Sequence, residues 1–344
     1  MREIDYIIVG FGLSGLNFAK KLIDENKTFV VFDNQSEDAS RVAGGIFNPV
    51  ILKRFNLAWN ADVQLTYAKH VYQSIEDLLG VKFLYSKPIY RRFNSTEEQN
   101  DWFTASDQPQ LSRFLNTKLK KSIPNIESEF SFGKVNEAGY LDTVLLIESF
   151  KNYLLEQGNY IEEAFDYNEL NLTKNSYKDF TFNNIVFCEG NGLSLNRFFN
   201  DLPLVGNKGE YVTIKCEGLD LDEMLKFSLF LIPLGDDLYK VGATYNRQFK
   251  DREPSVSAKK QILAKLDKVL QLPYEVVHQE AGIRPTTKDR RALIGRHSEI
   301  KNFYVNNGYG SRGIIMAPSA AKWLYDFIEH QKPLPEEVNI DRFK

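Results

Sequence analysis

Apolar runs broken by glycine set the pattern of this chain. Tyr6-Ile-Ile-Val9 reads as a buried strand, Gly10-Phe-Gly12-Leu-Ser-Gly15 as a tight turn, and Leu13 to about Asn26 as a helix. Thr28-Phe-Val-Val-Phe32 is a second strand, closed by Asp33. From Asn60 to about Asp101 the pattern is mostly helical, with one run ending at a Gly80 stop. Strands are expected at Phe83 to Tyr85 and Pro88 to Phe93, and alternation resumes from Phe130 to Tyr140. Asp142 or Thr143 then caps a helix on which Val144, Ile147, Phe150 and Leu154 share a face before Gly158 ends it.

Ile185-Val-Phe-Cys188 is a further buried strand, meeting the turn Glu189-Gly-Asn-Gly192. Beyond Gly209 the strands lengthen and alternate: Glu210 to Lys215, Phe230 to Leu234 and Leu238 to Thr244, with a hairpin at Gly235-Asp-Asp237 and a helix from about Val256 to Leu270. A second strand, glycine turn and helix close the chain, and Pro318-Ser319 is expected to start that helix, running to about Glu329. The fold class is therefore α/β. A Rossmann-like nucleotide-binding domain is assembled from separated segments (1–60, 140–205 and 285–344), and an antiparallel-sheet substrate domain comes from 61–139 and 206–284.

The opening turn carries chemistry. Gly10 lets the backbone turn after the strand, Gly12 admits a pyrophosphate close to the main chain, and Gly15 lets the helix pack on the sheet. Leu13 and Ser14 begin a helix whose amides and positive dipole end point at the phosphates. Asp33, 18 positions beyond Gly15, suits the two hydroxyls of a ribose and repels a 2′-phosphate. A dinucleotide other than NADP is the expected ligand. The backbone-rich stretch holding Ser40, Arg41, Gly44 and Gly45 suits wrapping a dinucleotide larger than NAD, the alternative being a surface loop. Gly190, and near the C-terminus Gly308, Gly310, Ser311, Arg312, Gly313 and Ile314, complete the expected cofactor set. A helix N-terminus at that last turn would favour negative charge on a reduced flavin ring.

Composition narrows the class. With 344 residues, 43% hydrophobic and 26% charged, the chain can bury about two domains. A net charge of −3 gives no general attraction to nucleic acid or anionic membrane, and the basic clusters Lys118-Leu-Lys120-Lys121, Arg91-Arg92 and Arg290-Arg291 read as solvated faces. Cys188 and Cys216 are too few for a disulfide framework, so the cytoplasm is the expected compartment. No run approaches the roughly 20 apolar residues of a membrane span. His70, His278, His297 and His330 show no metal-ligand spacing, and no metal is expected.

The N-terminal fingerprint, the segment from Ala39-Ser40 to Pro49, Arg284-Pro285 with Asp289, and the Gly308 to Pro318 closing motif together resemble the D-amino-acid oxidase-like family of FAD-dependent oxidoreductases, which includes glycine and sarcosine oxidases. The resemblance implies non-covalent FAD, since neither cysteine falls in the C-terminal segment that carries covalent flavin in sarcosine oxidases. It assigns Arg284 to the substrate carboxylate, which a guanidinium meets with two parallel hydrogen bonds; the alternative is a structural ion pair. Tyr245 and Tyr309, with Tyr211, become substrate-facing aromatics, or packing residues in a chain with 17 tyrosines. Ser311 stands where glycine oxidases carry an arginine, and the closing motif is similar to the flavin domain of the bacterial enzyme that trims carboxymethylaminomethyl-uridine at the tRNA wobble position. Three functions follow from the resemblance. The first is hydride transfer from the carbon beside the amine of a small amino acid or N-substituted amino acid to flavin N5; the second is the same chemistry on a modified wobble uridine in tRNA; the third is a non-catalytic flavin-binding role.

Overall fold

Complete burial of Tyr6, Ile7 and Ile8 makes β1 (Arg2–Val9) a central strand, paired on both sides. It is followed by α1 (Leu13–Asp24) and β2 (Phe29–Phe32), the order expected from the apolar pattern. The computed structural model describes residues 1–37 and 39–344. Next in chain order come α2 (Ala61–Leu79), β3 (Ile89–Arg92), β4 (Phe132–Val135), α3 (Thr143–Glu156) and β5 (Phe180–Phe187). The long strands follow: β6 (Leu204–Lys215), β7 (Met224–Lys226), β8 (Phe230–Gly235) and β9 (Leu238–Gly242). The chain closes with α4 (Val256–Leu266), β10 (Glu275–Thr287), β11 (Leu293–Arg296), β12 (Phe303–Asn307) and α5 (Gly313–His330).

One sheet sets Tyr160–Ile161, β2, β1, β5 and β12 side by side, all parallel, with β11 antiparallel beside β12. The turns after β1, β5 and β12 therefore gather at one end of this sheet, where an open α/β fold offers its binding crevice. The second sheet runs β10, β6, β9, β8, β7, β3, β4, with β7 and β3 its one parallel pair. Alternation divides its faces. Val212, Ile214, Leu231 and Val241 pack with Ile262 and Leu266 of α4, while Tyr211, Phe230 and Ile232 point to the opposite side. Between β8 and β9, Asp236 (φ 50°) and Asp237 (φ 57°) are both left-handed, the geometry of a tight hairpin turn that matches strand twist.

The structure adds to the sequence reading at four places. The boundary at residue 60 places α2 in the substrate unit, yet α2 packs on α5, and the Tyr72 hydroxyl donates to the Ile314 carbonyl at 2.9 Å. The closing helix begins at Gly313, and Pro318 lies inside it. Pro318 has no N–H to give Ile314, four residues before it, and Tyr72 supplies the missing donor. On α3 the inner face uses Leu146, while Val144 is 48% exposed. The segment after Asp33 forms one helical turn, Ala39–Val42, against β10. No helix among the described residues is long and apolar enough to cross a membrane.

Candidate active site and cofactor cleft

Gly10 (φ +94°) turns the chain after β1 so closely against the turn after β5 that a Cβ there would lie 2.6 Å from the Cys188 carbonyl oxygen. A Cβ on Gly15 would lie 2.0 Å from the Gly10 carbonyl oxygen, so α1 crosses its own turn in contact. Gly12 is the N-cap of α1, and no side chain caps the helix there. Ser40 Oγ accepts from Leu13 N–H at 3.1 Å, and the Ser14 hydroxyl donates to the Asn306 carbonyl at 2.5 Å, stitching both ends of the chain together beneath the turn.

These turns open onto a cavity of about 730 Å³, within the size range of cofactor sites. Every expected cofactor position lines it except Gly15 and Gly308, and Arg284, Tyr245 and Tyr309 line it as well. Gly15 serves helix packing. Gly308 (φ +79°) makes the turn behind the wall, its N–H held by Asn307 Oδ1. The N-terminus of α5 also meets the cavity, through Gly313 and Ile314, with Arg312 as an N-cap whose side chain makes no capping bond. Two helix N-termini thus present positive dipole ends to one cleft.

Asp33 stands at the end of β2, where its Oδ1 accepts from Phe11 N–H at 3.2 Å and its Oδ2 from the Tyr160 hydroxyl at 2.9 Å. Tyr160 was invisible in the pattern because its strand is two residues long; its signal was an aromatic two positions after the Gly158 helix stop. Arg41 lines the cavity while its guanidinium pairs with Glu148 at 2.7 Å and bonds Gln35. Glu189, also missed, is a buried carboxylate that accepts from Asn196 and the Tyr167 hydroxyl, and burial pushes its pKa up. Cys188 is buried in the wall, and burial pushes its thiol up to about 12.

At the other end of the cavity, Arg284 projects from β10 on the face of Tyr211 and Phe230. Its guanidinium stacks over the Tyr245 ring at 4.8 Å and donates to the Thr244 carbonyl at 3.3 Å. Among the described residues no carboxylate lies within ion-pair distance of it, so the structural ion pair is not formed. Tyr245, 69% exposed, stands at the mouth. Tyr309 lines the cavity while its hydroxyl is held on Asn306 Oδ1 (2.6 Å) and Ser14 Oγ (3.2 Å), and burial raises its pKa. Arg312 is a largely enclosed cation with no ion-pair partner among the described residues, its pKa lowered by burial and by Arg291 and Arg290. The three acids lining the cavity, Asp33, Glu37 and Glu189, all belong to the end formed by β1, β2 and β5.

Comparison with known proteins gives the same picture at the scale of the whole chain. The family model described as FAD dependent oxidoreductase (DAO) matches residues 5–327. A glycine oxidase of Pseudomonas aeruginosa is 21% identical over 95% of this chain and 95% of its own. The tRNA 5-methylaminomethyl-2-thiouridine biosynthesis bifunctional protein MnmC of Campylobacter jejuni is 23% identical over 94% of this chain, which spans 55% of that protein. Among solved structures, glycine oxidase from Bacillus cereus superposes with a TM-score of 0.79 at 20% identity, covering 96% of each chain.

Proposed function

The chain belongs to the family of FAD dependent oxidoreductases, and from that premise we propose that it oxidises the C–N bond of a small amino acid or N-substituted amino acid. The observation that carries this reading is Arg284: a guanidinium lining the cavity, seated on Tyr245, with no protein carboxylate within ion-pair distance among the described residues. A substrate carboxylate completes it with two charge-assisted hydrogen bonds.

The residues present fit FAD. The N-terminus of α1, where Ser40 takes the Leu13 N–H, would hold the pyrophosphate, Asp33 would accept from a ribose, and the start of α5 would favour added negative charge on the ring system. FAD, when bound, supplies the hydride acceptor. It would be held without a bond to Cys188, whose buried thiol stays protonated and poorly nucleophilic at neutral pH. Arg284 fixes the carboxylate and therefore the position of the carbon beside it, which is the main service such a site renders. Phe230 and Tyr211 form an apolar wall against water. The lining acids lie at the opposite end, so among the described residues no carboxylate is placed to take the amine's proton, which would leave to solvent before hydride transfer.

The test is anaerobic addition of glycine, sarcosine, proline and D-amino acids to the FAD-loaded protein, with absorbance followed at about 450 nm. Bleaching by one of them supports the reading and names the substrate group. A yellow protein bleached by none of them removes small amino acids and shifts the reading to the same chemistry on a modified uridine in tRNA. That second reading is favoured by the similarity to the Campylobacter protein along 94% of this chain.

A further inference from the structure

The cavity face of the second sheet carries an unexplained cation far from Arg284. Lys226 ends β7, directly opposite Phe230 in the register, and both line the cavity. Phe230 pairs with Gly242 and Gly242 with Tyr211, so Tyr211, Phe230 and Lys226 form one row across the face that also bears Arg284. From β10 to β7 is four strand spacings, about 19 Å, and Arg284 lies four residues, about 13 Å, further along its strand than the end of that row. Even with both side chains turned inwards, the gap exceeds the length of a small amino acid.

Lys226 Nζ makes one hydrogen bond, to the Ser228 carbonyl at 2.9 Å, and rests over the Phe230 ring at 4.6 Å. Among the described residues no carboxylate pairs with it. Its cationic neighbours are Arg91, already engaged by Glu98, and Lys265; burial together with their charges pulls its ammonium down to about 8. An ammonium has three donors, and a cation under this pressure is relieved by an anion. Lys53, exposed on the cavity rim, is likewise without an ion-pair partner among the described residues.

We propose that Lys226 is a second anion-binding point of the cavity, and that the preferred substrate is an elongated amine with one carboxylate beside the amine for Arg284 and a remote carboxylate or phosphate for Lys226. This rests on the amine-oxidase reading above and names its substrate class. The experiment compares N-alkylglycines of increasing chain length ending in methyl, carboxylate or phosphate monoester, by anaerobic reduction of the FAD-loaded enzyme. From one chain length onward the acid-ended compounds should show apparent Kd values at least about tenfold below their methyl-ended partners, as expected for a charge-assisted contact. In Lys226→Met that ratio should collapse to within about twofold. The carboxylate and phosphate arms identify which acid is preferred.

A parallel arm needs no turnover: suberate and octanoate are titrated against the flavin absorbance shift. Tighter suberate binding, lost in Lys226→Met, supports the second anion point even if no amine reduces the flavin, a result that would defeat only the oxidase reading. Equal binding of acid-ended and neutral-ended ligands overturns the proposal. So does a Lys226→Met protein that keeps the discrimination and instead binds FAD more weakly.

Discussion

The guanidinium of Arg284 lies directly over the α-carbon of Gly209 on the neighbouring strand, so closely that a Cβ on Gly209 would stand 2.1 Å from Nη1. Gly209 has no left-handed backbone conformation to maintain; space for the arginine alone excludes a side chain. Gly209→Ala should therefore displace Arg284 without unfolding the sheet, raising KM for an acidic substrate while FAD binding persists. Arg284→Ala sets the upper limit. Losing one side of a buried charge pair costs about 2–5 kcal/mol, or roughly 30-fold to several-thousand-fold in affinity. Steady-state kinetics of both variants check this, and an unchanged KM in Arg284→Ala would remove that residue from the substrate site.

Tyr72 and Pro318 form a compensating pair. Tyr72→Phe leaves the buried Ile314 carbonyl without its hydroxyl donor, beside a proline that cannot replace it. The expected loss is about 1–3 kcal/mol of folding stability, measured by urea unfolding of the FAD-saturated protein. A variant as stable as the parent would mean that this carbonyl finds another donor.

Asp33 and Tyr160 should act on cofactor affinity in unequal measure. Asp33→Ala removes the ribose acceptor and should weaken FAD by about 1.5–3 kcal/mol, roughly 10- to 150-fold. Tyr160→Phe removes only the hydroxyl that orients one carboxylate oxygen, while Phe11 N–H still holds the other, so its effect should be smaller. Equilibrium titration of the apoprotein with FAD, followed by flavin fluorescence, gives both constants. Equal losses would place Tyr160 itself on the cofactor.

Glu189 gives stability a pH dependence of definite sign. Burial holds its carboxyl proton more tightly in the folded protein than in the unfolded chain, and Glu37 adds to the effect. Between the ordinary carboxylate pKa and this raised value the folded state binds more protons, so its contribution is full at low pH and declines as pH rises through the raised value. Glu189→Gln should remove that decline, with the Tyr167 hydroxyl reorienting to accept from the amide. The difference in unfolding free energy between the two proteins should change across the window, and a constant difference would contradict the assignment.

Elements encoded by adjacent residues could be read directly from the chain. The Gly10, Gly12, Gly15 turn and the Asp236-Asp237 hairpin each depend on backbone freedom or on a short spacing, and the structure realises both. The seat of α2 could not be read, because an amphipathic helix declares which face it buries and not what it is buried against. Pro318 signals a helix start by its own chemistry; its place inside α5 depends on a hydroxyl 246 positions earlier. The polar partners of Arg41 and Tyr309 were hidden for a related reason. Their polar groups are claimed by Glu148, Asn306 and Ser14, partners that only the tertiary fold brings near.

The bond from Ser14 to Asn306 carries a consequence for biosynthesis. The cleft draws one wall from Val9 to Ser14 and another from Tyr309 to Ile315, so synthesis must pass Ile315 and clear the ribosome before the cleft can close. Nascent or C-terminally clipped chains have no route to the stabilisation that ligand binding confers, about 2.7 kcal/mol when free ligand is 100 times its Kd. Occupancy of the cleft by FAD would then protect the closed fold against proteolysis as well as arm it for chemistry.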